Sequence, residues 1–334
     1  MYDQIEQLIN IDFNKRGVNH LYKEARRMTG EPLILNAAKA IKNIEENQFI
    51  FLSTGALARG WVSKSIGETD GPLGTVALAI SLWKNKKTIP IILIEASLVH
   101  TIKPLFETEG FKILSKKEMI YINSIKEYNE IPIACIIPIS EKVTEAEKMG
   151  NDLLNLFNPS MVICIERTGP NNKGVFHNMK GFDYSEGYAR IDIIVKLAKK
   201  QNIPTLGIGD GGNEIGMKMV ENAVQKHIPY GDKCQCGCES SIVPAVETDM
   251  LITSAVSNWG CYGLCAALAL LETDLDLVHT KDCELNLIKT AINCNNIDGV
   301  TGKLDMSVDG LDLKCNLSII TMLFNLVNKD LLRR

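Results

Sequence analysis

Two acids and an amide share one glycine-rich turn in the run Pro204-Thr-Leu-Gly-Ile-Gly-Asp-Gly-Gly-Asn-Glu-Ile-Gly216. Asp210 and Glu214 are residue types that transfer protons or hold a hard cation, and Asn213 stands between them. Thr205 to Gly209 reads as a buried strand, and a helical pattern follows from Met217 to His227. A turn between strand and helix lies at the carboxyl end of a sheet strand, where open α/β sheets bind ligands. Glycine permits positive φ and close backbone approach, and the first amides of a helix can hold an anion. A tight turn needing glycine for geometry alone would account for Gly211 and Gly212. It would not account for the acids beside them.

The stretch makes a poor phosphate cradle. Gly207 to Gly212 matches the G-x-G-x-x-G spacing, but Asp210 would repel a pyrophosphate, and the match lies late in the chain. No P-loop lysine follows it, and the sequence has no Gly-x-Ser-x-Gly elbow.

Three other loops follow apolar strand-like runs. Thr54 to Pro72 carries Arg59, Glu68 and Asp70; Glu166 to Asp183 carries Arg167, His177 and Asn178; Ser257-Asn258-Trp259-Gly260 is the third. Loops that follow parallel strands gather on one edge of the sheet, so all four can converge. Arg59 and Asp70 could instead form a solvated bridge, and Glu166-Arg167 a structural ion pair. A carboxylate beside a guanidinium at a strand end equally suits a charged small molecule, because Arg binds carboxylates bidentately. His177 reads either as a surface residue or as part of a site. Asn258 is a contact candidate, and Trp259 a packing anchor.

The elements that must position these residues alternate. Apolar strands are expected at 49–53, 90–95, 111–115, 131–139, 161–165, 205–209 and 249–254. Helical patterns fill the intervals, including 74–86, 141–157, 185–200 and 261–271, and both ends of the chain read as helical. Continuous apolar strands suit a sheet covered on both faces. The expected fold is α/β: a mostly parallel, helix-covered, doubly wound (Rossmann-like) sheet with helical N- and C-terminal additions, as one domain over 1–334.

Composition narrows the function classes. The 334 residues are 46% hydrophobic and 23% charged, with a formal net charge of -4. That balance gives no electrostatic reason to expect nucleic acid or an acidic membrane as partner. No apolar run reaches the length of a membrane span, and the N-terminus lacks a basic region followed by an apolar core. A reducing cytoplasm is the expected compartment for the ten cysteines, with buried free thiol as the default state. Cys234-Gln-Cys236-Gly-Cys238 invites a metal. The spacing departs from C-x-x-C and no second pair stands nearby, so a loop of free thiols is the plainer reading. A magnesium or manganese ion held by Asp210, Glu214 and Glu166 is a separate expectation. Self-association is left open.

Taken together, Glu68-Thr-Asp-Gly-Pro72, Ile165-Glu-Arg167, His177-Asn-Met179, Gly207 to Gly216, Ser257 to Gly260, Asp298-Gly-Val-Thr-Gly302 and Val308-Asp-Gly310 follow one another over nearly the whole chain. In this the chain resembles the D-glutamate cyclase family, specifically its C-terminal domain. The resemblance implies dehydration of D-glutamate to 5-oxo-D-proline, or the reverse. Animal members carry an additional N-terminal domain and go to mitochondria; this chain is expected to do neither. Cys234 to Ser241 reads as an insertion relative to the family pattern.

Cyclisation needs a neutral α-amine, a base to take its proton and an acid to protonate the departing γ-carboxylate oxygen. Two carboxyls in different environments can divide those roles. Asp210 and Glu214 are the first choice, with Glu166 as alternate. Arg167 or Arg59 would bind the α-carboxylate, and the Gly211 and Gly212 amides would stabilise the oxyanion. Asp70, Asn213, His177, Asn178 and Asn258 complete the expected binding set. The rival readings are a non-catalytic binding or sensor protein for an acidic amino acid, and a nucleotide-dependent enzyme.

Overall fold

The computed structural model describes residues 1–55, 57–125 and 130–333. Seven strands form one parallel sheet in the order β3-β4-β2-β1-β5-β6-β7. They are β1 (Phe49–Thr54), β2 (Ile89–Ile94), β3 (Lys112–Leu114), β4 (Ile133–Pro138), β5 (Met161–Ile165), β6 (Thr205–Gly209) and β7 (Met250–Thr253). All of β1, β2, β5, β6 and β7 is buried, so these strands read as unbroken apolar runs rather than alternating ones.

Alternation along a strand sends successive side chains to opposite layers. Phe49 and Phe51 of β1 meet Phe157 of α7 (Val143–Phe157), and α8 (Ile191–Lys200) packs against the same layer. Ile50 and Leu52 face the other layer, built around α4 (Pro72–Lys86) and α10 (Ser257–Glu272). These two helices are apolar on most sides because they lie under an outer shell. That shell includes α1 (Tyr2–Ile9), α2 (Val18–Thr29), α3 (Leu33–Lys42) and α12 (Leu313–Leu331).

Strand β1 lies between β2 and β5, pairing in parallel with each. The chain leaves β1 toward β2 on one side and later returns on the other as β5. The loops after β1 and β5 therefore diverge, which opens a crevice at the carboxyl edge. A small antiparallel hairpin, β8 (Ser307–Val308) with β9 (Leu311–Asp312), comes from the far end of the chain.

Three local expectations change. Ser257 to Gly260 is the first turn of α10 rather than a loop, because Asp70 caps it from outside the helix. Helix α8 begins at Ile191, six residues later than the pattern suggests, because Arg167 and Glu95 tie down Ala189 just before it. The N-terminal region holds a third helix, α2, whose few apolar residues Val18, Leu21 and Ala25 lie among charges.

Candidate active site

Three carboxylates meet where β1, β5 and β6 end. Asp70, Glu166 and Asp210 each place an oxygen within 4.8 Å of the other two. Glu166 directly follows β5, Asp210 directly follows β6, and Asp70 lies in the loop between β1 and α4. Above them opens a cleft of about 280 Å³, lined by Arg16, Arg59, Glu68, Glu166, Asn213 and Asp309 among others. Glu166 is partly exposed to it; Asp70 and Asp210 lie buried beneath.

Glu166 has a φ of +49°, a sparsely populated conformation for a residue with a Cβ. The turn sends its side chain toward the cleft while Arg167 goes the opposite way. Gly71 makes the space: its φ is +91°, and a Cβ there would lie 2.8 Å from the Cβ of Glu166. The Ser257 hydroxyl donates to Glu166. Burial, then the negative charges of Glu214, Asp70, Glu68 and Asp309, push the Glu166 carboxyl well above the usual carboxylate range.

Asp70 accepts three backbone N–H bonds, from Gly71, Ser257 and Asn258, at 2.8–2.9 Å. It thereby satisfies the amino end of α10. Burial and the charge of Asp309 still outweigh these bonds and raise its carboxyl to about 8. Burial also lifts Asp210 well above its ordinary value, with Arg16 opposing and Glu166, Asp309 and Glu214 adding to the rise. Asp210 Oδ2 is buried without a hydrogen-bond partner among the described residues.

Arg16 is the counter-charge. Its guanidinium binds Asp210 Oδ1 at 2.8 Å and also pairs with Asp309. It sits in the turn between α1 and α2, whose N–H groups at Arg16 and Gly17 bond to Asp12. Asp309 lies in the β8–β9 turn, which Asp298 anchors by accepting from Gly310 N–H and the Ser307 hydroxyl. Asp298 also accepts from the amides of Val300 and Thr301, and the carbonyls of Gly299 and Val300 in that loop receive Arg59. Arg59 has no carboxylate within ion-pair distance among the described residues, and it lies over the ring of exposed Trp61.

The other residues singled out from sequence have different duties. Both Glu214 oxygens turn inward: Oε1 accepts from Asp210 and Gly211, and Oε2 from Gly212, so Glu214 braces its own turn. The Gly211 and Gly212 amides are thereby engaged. Gly212 has a φ of +107°, and a Cβ there would lie 2.8 Å from a Val224 methyl. Arg167 is fully buried in a bidentate pair with Glu95 and also donates to the Ala189 carbonyl. Asn258 accepts from Gly71 and Gly74 and donates to the Thr69 carbonyl, locking the loop that carries Asp70. Asn213 lines the cleft and donates to the His177 carbonyl. Asn178 also lines it, and its Oδ1 receives the Lys180 and Phe182 amides. The His177 ring faces Cys236, with Nε2 3.2 Å from the sulfur.

The sequence reading missed Arg16 and Asp309, which come from opposite ends of the chain. Val308-Asp-Gly310 was a visible signal, since an acid before glycine in a tight turn is a way to present a carboxylate. Nothing local marks Arg16. Trp259 is buried as an anchor, its indole N–H donating to Asn316 of α12.

A fold with its crevice at the β1/β5 crossover and acids on three strand ends has the form of a small-molecule site. The family model described as "D-glutamate cyclase-like, C-terminal" matches residues 5–324, and the chain belongs to that family. It is similar to the protein named "D-glutamate cyclase, mitochondrial" of Homo sapiens, at 28% identity over 271 residues. That match covers 80% of this chain and 38% of the human protein. No helix among the described residues is long and apolar enough to cross a membrane.

Proposed function

We propose that the chain is a D-glutamate cyclase-like hydro-lyase, which closes D-glutamate to 5-oxo-D-proline with loss of water, or runs the reverse. The reading rests on the name of the human relative and on one geometric observation. A protonatable carboxyl, Glu166, faces a small cleft that also holds a guanidinium, Arg59, with no carboxylate partner among the described residues.

The cleft volume lies just below the roughly 300–1,000 Å³ of common ligand pockets, which favours a compact metabolite. Arg59 would take the substrate's α-carboxylate. The α-amine would lie toward the acids and pass a proton to Asp309, which lines the cleft opposite. It then attacks the γ-carbon. Glu166, whose carboxyl is held well above the usual carboxylate range, donates one proton to the γ-carboxylate oxygen; the nitrogen's second proton, shed as it becomes an amide, completes the departing water, and the proton taken by Asp309 restores Glu166. One C–N bond forms and one C–O bond breaks, with no change of oxidation state. Asp210 and Asp70 lie beneath Glu166, and burial in one cluster raises the carboxyls of all three. This arrangement moves Glu166 ahead of Glu214, whose oxygens are occupied by amides.

In place of proton donation by Glu166, the same three acids in ionised form would suit a hard divalent cation such as magnesium or manganese, and Asp210 Oδ2, without a hydrogen-bond partner among the described residues, fits such a ligand set. A bound cation would supply charge stabilisation for the developing oxyanion. The reducing cytoplasm remains the proposed compartment.

The test is chiral chromatography of D-glutamate, L-glutamate and both 5-oxoprolines incubated with purified protein, with and without magnesium or manganese. Selective interconversion of the D forms supports the proposal. Tight binding of glutamate by calorimetry with no turnover under any condition would instead make the chain a binding protein.

A further inference from the structure

Away from the acids, four soft ligands point at one another. The Cys234 sulfur lies 3.4 Å from those of Cys236 and Cys238. His177 Nε2 lies 3.2 Å from the Cys236 sulfur and 3.7 Å from that of Cys238. All four ligand atoms fall within 4.8 Å of one another, and all three cysteines are free thiols. Zn–S bonds of about 2.3 Å and a Zn–N bond of about 2.0–2.1 Å define a tetrahedron with edges of roughly 3.5–3.8 Å. The four edges just given lie within a few tenths of an ångström of that figure.

We infer that Cys234, Cys236, Cys238 and His177 form a structural zinc site that fastens the 234–241 segment to the loop after β5. The inference is independent of the reaction proposed above.

The chemistry of the donors selects the ion. Thiolate and imidazole suit zinc, whereas a hard cation would choose the carboxylates. Four protein ligands leave no open position, which makes the site structural rather than catalytic. The short C-x-C-x-C spacing works because the chain turns tightly, with Gly237 at a φ of +82° and Glu239 at +54°. The backbone already holds this shape: Cys234 N–H donates to the Ser240 carbonyl at 2.8 Å. The Asn171 side-chain amide donates to the Ser241 carbonyl and lies 3.5 Å from the Cys238 sulfur. An N–H aimed at sulfur stabilises thiolate in a metal site. The fourth ligand comes from 59 residues earlier in sequence, so the ion would join two loops that otherwise meet through few bonds. Those bonds run from Gln235 to the carbonyls of Gly181 and Lys180, from Asn171 to the Ser241 carbonyl and from the Ser240 hydroxyl to the Asn172 side chain.

The link reaches the cleft. The His177 carbonyl receives Asn213 of the Asp210 turn, and Met179, two residues on, packs over Gly211. A tetrahedral ion on His177 would hold both in place.

The test begins with full-length protein purified under reducing conditions without chelator. Elemental analysis should find about one zinc per chain. Stripped wild-type protein titrated with Co²⁺ should develop a thiolate-to-cobalt charge-transfer band and the intense visible bands of tetrahedral cobalt, and added Zn²⁺ should abolish both. Cys236→Ser and His177→Ala should weaken the site by more than the roughly 10–100-fold typical for losing a ligand's supporting hydrogen bond. Asp210→Asn should leave the cobalt spectrum unchanged. Cobalt that binds without a charge-transfer band overturns the inference, as does a spectrum lost in Asp210→Asn but kept in Cys236→Ser. So does unreduced protein in which two of the three thiols are tied as a disulfide. The wild-type titration gives an answer even if a variant fails to fold.

Discussion

The acid cluster and the thiol cluster are both knots of ionisable side chains, but they are built in opposite ways. Asp70, Glu166 and Asp210 ride on the ends of buried parallel strands, so the sheet fixes their spacing. Cys234, Cys236, Cys238 and His177 ride on two loops outside the seven strands. The acids are held apart from a low-energy state: buried together, they keep protons that they would lose in water. The thiols sit in a cage whose shape matches an ion. On the proposals above, the first knot supplies the acid of the reaction and the second supplies rigidity, and the Asn213 hydrogen bond to the His177 carbonyl links the loops that carry them.

Perturbations should separate the two. The largest effect is expected at Glu166. Glu166→Gln removes the transferable proton and should lower turnover by about 10²–10⁴-fold, the usual worth of a general acid. Substrate binding, measured by calorimetry, should change little. Stabilisation by zinc should be untouched.

Arg16→Ala comes next, and acts on stability. It strips the counter-charge from Asp210 and Asp309 and should cost on the order of 3–5 kcal/mol, as for other broken buried pairs. Without the guanidinium, which holds the Asp210 carboxyl down against burial, Asp210 favours its neutral form more strongly. The loss should therefore be greater at pH 8 than at pH 5, by chemical denaturation at both.

Arg59→Ala should raise KM for the substrate by roughly tenfold, as expected for losing one charge-assisted contact of about 1.5 kcal/mol. It should leave the folding stability nearly unchanged. Arg59→Lys should restore only part of the loss, because a point charge cannot grip a carboxylate bidentately. An unaltered KM in both variants would place the α-carboxylate elsewhere.

The remaining effect is a slope. Asp70 binds its proton up to about pH 8 in the folded protein, but only to about pH 4 in the unfolded chain. Between those values the folded state holds more protons, so the Asp70 contribution to stability is present at low pH and is lost as pH rises toward 8. In chelator-treated buffer, Asp70→Asn should flatten this decline, read as the pH dependence of the denaturation midpoint. An unchanged slope would mean that Asp70 does not carry it.

The same contrast explains what could be read in the sequence. Five of the seven strands were legible because burial on both faces leaves unbroken apolar runs such as Phe49-Ile-Phe-Leu52 and Met161-Val-Ile-Cys-Ile165. Glu166 and Asp210 were legible because each is the first residue after such a run. The direction of a side chain was not. Glu166 and Arg167 are neighbours, yet one faces the cleft and the other is sealed against Glu95, since a positive φ separates them. Glu214 looked like a second acid for chemistry, but three amides of its own turn claim it. Arg16 and Asp309 are brought together by the packing of both chain ends over the carboxyl edge, which no local pattern encodes. The cysteines were noticed, but their fourth partner depends on how two loops dock.

The most direct test is a pair of measurements on Glu166→Gln and the wild type. Formation of 5-oxo-D-proline from D-glutamate is followed by chiral chromatography, and D-glutamate binding by calorimetry, on the same preparations. A Glu166 that donates the proton predicts that turnover falls at least about a hundredfold in the variant while binding persists. Equal turnover by both proteins, or no D-specific interconversion by the wild type with or without magnesium and manganese, would contradict it.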